Sequence, residues 1–178
     1  MLSYPSWGTR QKVTAADLNL CNTNSNILAN RPFMRASGIS TMDGIQNETT
    51  LKWDSLDSGG FTTTDMKAFR APVAGVYWVT SAATMTTPSS MTGYNSAGLT
   101  IITGFDTTGF LKGMIGSKIK DSYHTAATSG LVFLKQGSTL WSSATGTGGA
   151  WRTAATGNPA TSISYLSAVL LYPDAGLL

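Results

Sequence analysis

Charge is what this chain has least of. Asp, Glu, Lys and Arg make up 12% of 178 residues, about half the roughly 25% of an average globular protein. Ser, Thr, Gly and Asn stand in their place, as suits a chain whose surface is largely buried in an assembly. The net charge is +3, and Lys112, Lys118 and Lys120 are the one local concentration. Three lysines read as a solvated loop, so nucleic acid is not an expected partner. Cysteine is nearly absent: Cys21 alone excludes a disulfide framework within the chain. Histidine is as rare, and no His/Cys spacing fits zinc. Apolar runs stay far short of the ~18 residues of a membrane helix, so no membrane insertion is expected. The start, Met1-Leu-Ser-Tyr-Pro-Ser-Trp7, lacks the charged and apolar regions of a signal peptide, which implies synthesis in a cytoplasm without secretion by a signal of its own.

Catalytic signatures are missing too. There is no G-x-S-x-G, no phosphate-binding Gly-rich loop and no HExxH. Asp43, Asp54, Asp57, Asp65 and Asp106 are scattered, mostly beside Gly or Ser, and read as turn residues. Asp54 and Asp57 lack the companion oxygens of a calcium loop. Asn47-Glu-Thr49 matches a glycosylation acceptor that means little without a signal peptide. We expect no enzyme, no metal and no cofactor.

What the chain does have is a long series of short, apolar, β-prone runs. The most telling is Phe69-Arg-Ala-Pro-Val-Ala-Gly-Val-Tyr-Trp-Val-Thr-Ser-Ala-Ala-Thr84. Pro72 cannot donate to a ladder and Gly75 permits a corner, so the stretch reads strand, corner, strand. On the second strand Val76, Trp78, Thr80 and Ala82 share one face; Tyr77, Val79, Ser81 and Ala83 share the other. Neither face is charged, and the alternation of an antiparallel strand with one wet face is absent. Both faces must therefore be covered. Further strands are predicted at Phe33–Ile39, Leu51–Trp53, Met66–Ala71, Leu99–Phe105, Phe110–Ile119 and Ile163–Tyr172. Ser129–Lys135 and Thr139–Ser143 are expected to pair as a hairpin around Gln136-Gly137. Regularly spaced short strands argue a sandwich or barrel.

Phe69-x-Ala-Pro-x-x-Gly-Val-Tyr-Trp78 resembles the signature F-x-A-P-x-x-G-x-Y-x-F of the C1q/tumour-necrosis-factor-like jelly roll. Tyr165-Leu-Ser-Ala-Val-Leu-Leu-Tyr-Pro-Asp174 is similar to that family's closing strand. Gly130-Leu-Val-Phe-Leu-Lys-Gln-Gly137 with Thr139-Leu-Trp141 is similar to its L-x-L-x-x-G-D-x-V-x-L pair. Ser138 stands where the family usually has Asp, and Ala168 where it often has Gly. The resemblance runs from about Phe33 to Asp174 and implies an all-β jelly-roll sandwich of about ten strands over residues 33–178. It also implies that the strands around Tyr77 and Tyr165 lie side by side in an inner sheet, three of which meet at a threefold axis. The outward set is Tyr77 and Val79, or Trp78, on one strand, and Tyr165 and Val169, or Leu170 and Tyr172, on the other. We take Tyr77, Val79, Tyr165, Val169 and Tyr172 as the expected trimer interface.

Residues 1–32 differ. Thr14-Ala-Ala-Asp17 has the form of a capping box, and a short helix is predicted from there to Ala29, ended by Asn30 and Pro32. Its many Asn, Thr and Ser residues make it marginal alone. Trp7-Gly8, Val13-Thr-Ala-Ala-Asp-Leu-Asn19 and Asn26-Ile-Leu-Ala29 resemble the N-terminal anchor of tailed-phage minor structural proteins. The resemblance implies attachment through Trp7, Val13, Thr14, Asp17, Leu18 and Leu28. The expected molecule is then a bacteriophage virion structural protein: a homotrimeric head fixed to a tail or a capsid, in contact with other virion proteins. A host-attachment module of the same fold, binding a surface glycan or protein, is the alternative. For ligand contact the bulky groups in small-residue loops are the candidates: Tyr94, Tyr123, His124 and Trp151.

Overall fold

Side chains alternate across extended backbone, and here that alternation builds two sheets around one core. The computed structural model describes residues 14–40, 44–88, 97–106, 109–119, 122–153 and 164–174. One helix, α1 (Ala15–Ala29), precedes eleven strands: β1 (Phe33–Ile39), β2 (Thr49–Thr50), β3 (Trp53–Gly59), β4 (Ala68–Arg70), β5 (Gly75–Thr86), β6 (Ala97–Phe105), β7 (Gly109–Ser117), β8 (Tyr123–Leu134), β9 (Thr139–Thr147), β10 (Arg152–Thr153) and β11 (Tyr165–Pro173). All pairings are antiparallel.

The first sheet runs β8-β5-β11-β1-β3, with β10 pairing the far end of β5. The second runs β2-β9-β6-β7, with β4 also on β9. Between them lie Met34, Trp53, Phe69, Tyr77, Val79, Leu99, Ile101, Leu134, Leu140, Trp151, Leu166 and Leu170, all at 2% exposure or less. A packed interior of this kind supplies the main stabilisation of the domain. This is the expected all-β sandwich with a short N-terminal helix.

The Pro-x-x-Gly corner positions β5. Ala71 N–H donates to Ser138 O at 2.9 Å, and Gly137 N–H donates to Ala71 O at 2.8 Å. The corner is thus stitched to the β8–β9 turn. Ser138, in place of the usual Asp, still closes that turn, because its hydroxyl accepts from Lys135 N–H at 3.1 Å. At the other end, Asp174 N–H donates to Ala74 O at 2.8 Å and locks the end of β11 beside the same corner.

Two sequence expectations need correction. The segments about Gln136-Gly137 do not form a hairpin. β8 pairs with β5 and β9 with β6, so the turn carries the chain from one sheet to the other. Gly137, at φ +80°, makes the crossing, and Leu134 and Leu140, both fully buried, seal the core from its two sides. The second correction concerns lengths. β3 continues to Gly59 and β8 begins at Tyr123, well beyond the predicted Leu51–Trp53 and Ser129–Lys135; cross-strand partners hold these polar stretches extended.

The helix begins directly after Thr14, as expected, and Leu18 N–H donates to Thr14 O at 3.2 Å. Ile27 is half-buried and packs against the core, whereas Leu18 is 60% exposed. Pro32 O then accepts from Leu170 N–H at 2.9 Å, which ties the end of the helical segment to β11.

Candidate interaction face

On β5, even-numbered side chains around Trp78 point away from the core. Tyr77 and Val79 are fully buried, while Trp78 is 43% exposed. Tyr77 is held inward by its hydroxyl, which donates to Val73 O at 2.7 Å, and by an edge-on contact with the Phe61 ring at 5.6 Å. Burial pushes its pKa up to about 12. Tyr77 and Val79 are therefore core residues, and their expected place at an interface is wrong. The second sheet packs on their side of β5, and Leu99, Ile101 and Leu140 share the core with them.

The outward face is organised in rows. Across four neighbouring strands, Phe33 pairs with Val169, Val169 with Trp78, and Trp78 with Leu131. A second row joins Tyr172, Val76 and Phe133. Phe33, Trp78, Leu131, Phe133 and Tyr172 are among the exposed large apolar residues of the described chain, at 39% to 65%. Side chains directly opposite one another on an antiparallel pair lie in contact range, so the rows form one apolar surface. Beyond them the face turns polar but stays uncharged at its centre. Thr80 and Ser167 share a 2.7 Å hydrogen bond, as do Thr84 and Thr125. Charge enters at the β1–β3 side, where Arg35 and Asp57 are register partners and the Arg35 guanidinium sits 5.9 Å over the Tyr165 ring.

Of the expected interface, Tyr165 and Val169 are half-exposed on this face and Tyr172 is 65% exposed. The structure selects Trp78, the alternative on β5, and adds Phe33, Leu131 and Phe133. Phe33 and Phe133 have no distinguishing mark in sequence, because their strands carry apolar residues at both parities.

The loop candidates do not converge. Trp151 is fully buried, its indole N–H donating to Thr147 O at 3.1 Å and its ring edge-on to His124 at 6.4 Å. It is a core residue, contrary to expectation: Ile45 and Trp151 exchange both backbone hydrogen bonds and pull it inward. His124 is half-buried, with Nε2 2.8 Å from Ser122 Oγ. Tyr123 is 49% exposed on β8, and Tyr94 lies outside the described residues. Of the anchor set, Trp7 and Val13 also lie outside them; Thr14 and Leu18 are exposed, and Asp17 and Leu28 fall on the helix backbone. Among the described residues no group of three His, Cys, Asp or Glu could hold a metal ion.

No protein-family model and no curated protein matches the sequence. Solved structures do. A globular domain of zebrafish complement 1qA superposes at TM-score 0.54 with 12% identity, over 80% of this chain and 99% of that one. Eiger TNF from S. frugiperda gives 0.55 and 13%, over 81% and 94%. Murine APRIL at pH 5.0 gives 0.54 and 13%, over 79% and 99%. The fold is thus a C1q/TNF-like jelly roll, as its strand motifs foreshadow. At such identities the likeness defines the architecture only.

Proposed function

We propose that this chain is a homotrimeric jelly-roll module whose N-terminal segment attaches it to a bacteriophage particle. One observation carries the trimer: the uncharged sheet face with Phe33, Val169, Trp78 and Leu131 in a single row. Monomers rarely leave contiguous apolar patches beyond a few hundred Å² open to water. A rotational threefold assembly covers such a face on every copy and leaves no unsatisfied end. Aromatic residues at the centre with charge displaced to the rim match the make-up of an interface core. The virion role is supported by the Val13–Asn19 string and by a helix most of whose described side chains face solvent, free to meet a neighbour. Sedimentation equilibrium of the purified chain at micromolar concentration tests the trimer, with a threefold mass expected. Mass spectrometry of purified particles tests the attachment, with this chain expected at fixed copy number.

A further inference from the structure

The outer face of the other sheet carries a second, different surface. Six outward positions on β9, β6 and β7 form a tile. Trp141, Gly104 and Phe110 are register partners in one row; Ser143, Ile102 and Lys112 are partners in the next. Gly104 sits at the centre of the upper row, and the Trp141 indole lies over it, where a Cβ would collide with the ring. The ring thus fills the space that a side chain at Gly104 would take. Beside it lies a cavity of about 360 Å³ lined by Glu48, Ile102, Gly104, Phe110, Lys112 and Trp141, within the roughly 300–1,000 Å³ range of ligand clefts. Glu48 is held in place there: one carboxylate oxygen, Oε1, accepts from Ser143 Oγ at 2.7 Å. No ion pair among the described residues joins Glu48 to Lys112, so both charged groups remain available to a ligand.

We infer that this cavity binds a neutral pyranose ring. A pyranose has one face of C–H groups and a rim of hydroxyls. The Trp141 and Phe110 rings offer an apolar platform to the first. The Glu48 carboxylate accepts from hydroxyls, and the Lys112 ammonium donates to them. One negative and one positive group leave the site close to neutral, which favours an uncharged sugar over a uronate that Glu48 would repel. Binding, not cleavage, is the chemistry: glycoside hydrolysis calls for a pair of carboxyl groups, and Glu48 is the one carboxylate among the lining residues. The site lies on the sheet opposite the apolar face, so three copies would be presented outward by a trimer, and avidity would multiply a weak single-site affinity. Sugar binding does not depend on that assembly, and the two ideas fail separately.

The test is saturation-transfer NMR and titration of the full chain with methyl glucopyranoside, methyl mannopyranoside, methyl galactopyranoside and glucuronate. At least one neutral glycoside should bind with a dissociation constant on the order of 1 mM, and glucuronate several-fold more weakly. Trp141→Ala should abolish the signal. Glu48→Gln, which keeps a hydrogen-bonding partner for Ser143, and Lys112→Met should each weaken binding several-fold while their circular dichroism and melting curves match wild type. Tyr123→Ala should bind as wild type. No transfer to any of the three glycosides overturns the inference, as does binding that survives unchanged in both Trp141→Ala and Glu48→Gln.

Discussion

Replacing Trp78 by glutamate separates the assembly from the fold. Trp78 is 43% exposed in the single chain; with up to ~250 Å² for a tryptophan side chain, ~110 Å² awaits a partner. At ~25 cal/mol/Å² that area contributes ~2.7 kcal/mol per subunit. Three subunits lose ~8 kcal/mol together, which lowers the association constant by ~six orders of magnitude. A carboxylate shut into an apolar contact adds a desolvation cost of at least ~2 kcal/mol per copy. In the separated chain the same carboxylate stands in water and costs little. Trp78→Glu should therefore sediment as a folded monomer at micromolar concentration, with the wild-type circular dichroism spectrum. Tyr77→Glu, one residue away, should behave otherwise: its site is fully buried, so it should unfold rather than dissociate. A Trp78→Glu variant that keeps a threefold mass would refute the assignment of this face. So would a wild-type chain that is monomeric under the same conditions.

Other outcomes follow from the same structure. Because Tyr77 has a folded pKa of about 12 against 10.0, its neutral form is favoured in the native state. The corresponding stability is fully present below pH 10 and is lost as pH rises toward 12, by about 3 kcal/mol; urea unfolding across that window should show the decline, and Tyr77→Phe should flatten it. Trp151→Ala should destabilise the fold by roughly 3–5 kcal/mol, as expected for a buried aromatic, with a large fall in the urea midpoint. Deleting residues 1–30 should leave a soluble β head that no longer joins particles. Loss of the Ile27 contact should lower its melting temperature by only about 2–4 °C, and normal incorporation of the truncated chain would remove the anchor assignment.

The chain's own letters settled the architecture because its constraints are local. Pro72 and Gly75 make a corner whatever surrounds them. Thr14 starts a helix that Asn30 and Pro32 end, and the helix occupies Ala15–Ala29 as expected. The closing strand and the β5 strand are neighbours, as the motif resemblance implied. Which way a side chain points was not legible. Where both parities of a strand are apolar or small, as at Tyr77 and Trp78, period-two alternation cannot tell inside from outside. Only the packing of the second sheet against the Tyr77 side, where the hydroxyl also reaches Val73, chose one parity for the core. Trp151 was misplaced for a related reason: a Gly-rich stretch reads as an open loop, yet the Ile45 bridge and the Thr147 carbonyl fold its indole inside. The cavity around Gly104 belongs wholly to tertiary structure. Glu48, Gly104, Lys112 and Trp141 come from four separate segments, and nothing in their spacing places them together. The register of β6 against β7 and β9 does so for Gly104, Lys112 and Trp141, and the pairing of β2 with β9 brings Glu48 beside them, because an antiparallel ladder fixes every cross-strand neighbour once a single pair is set.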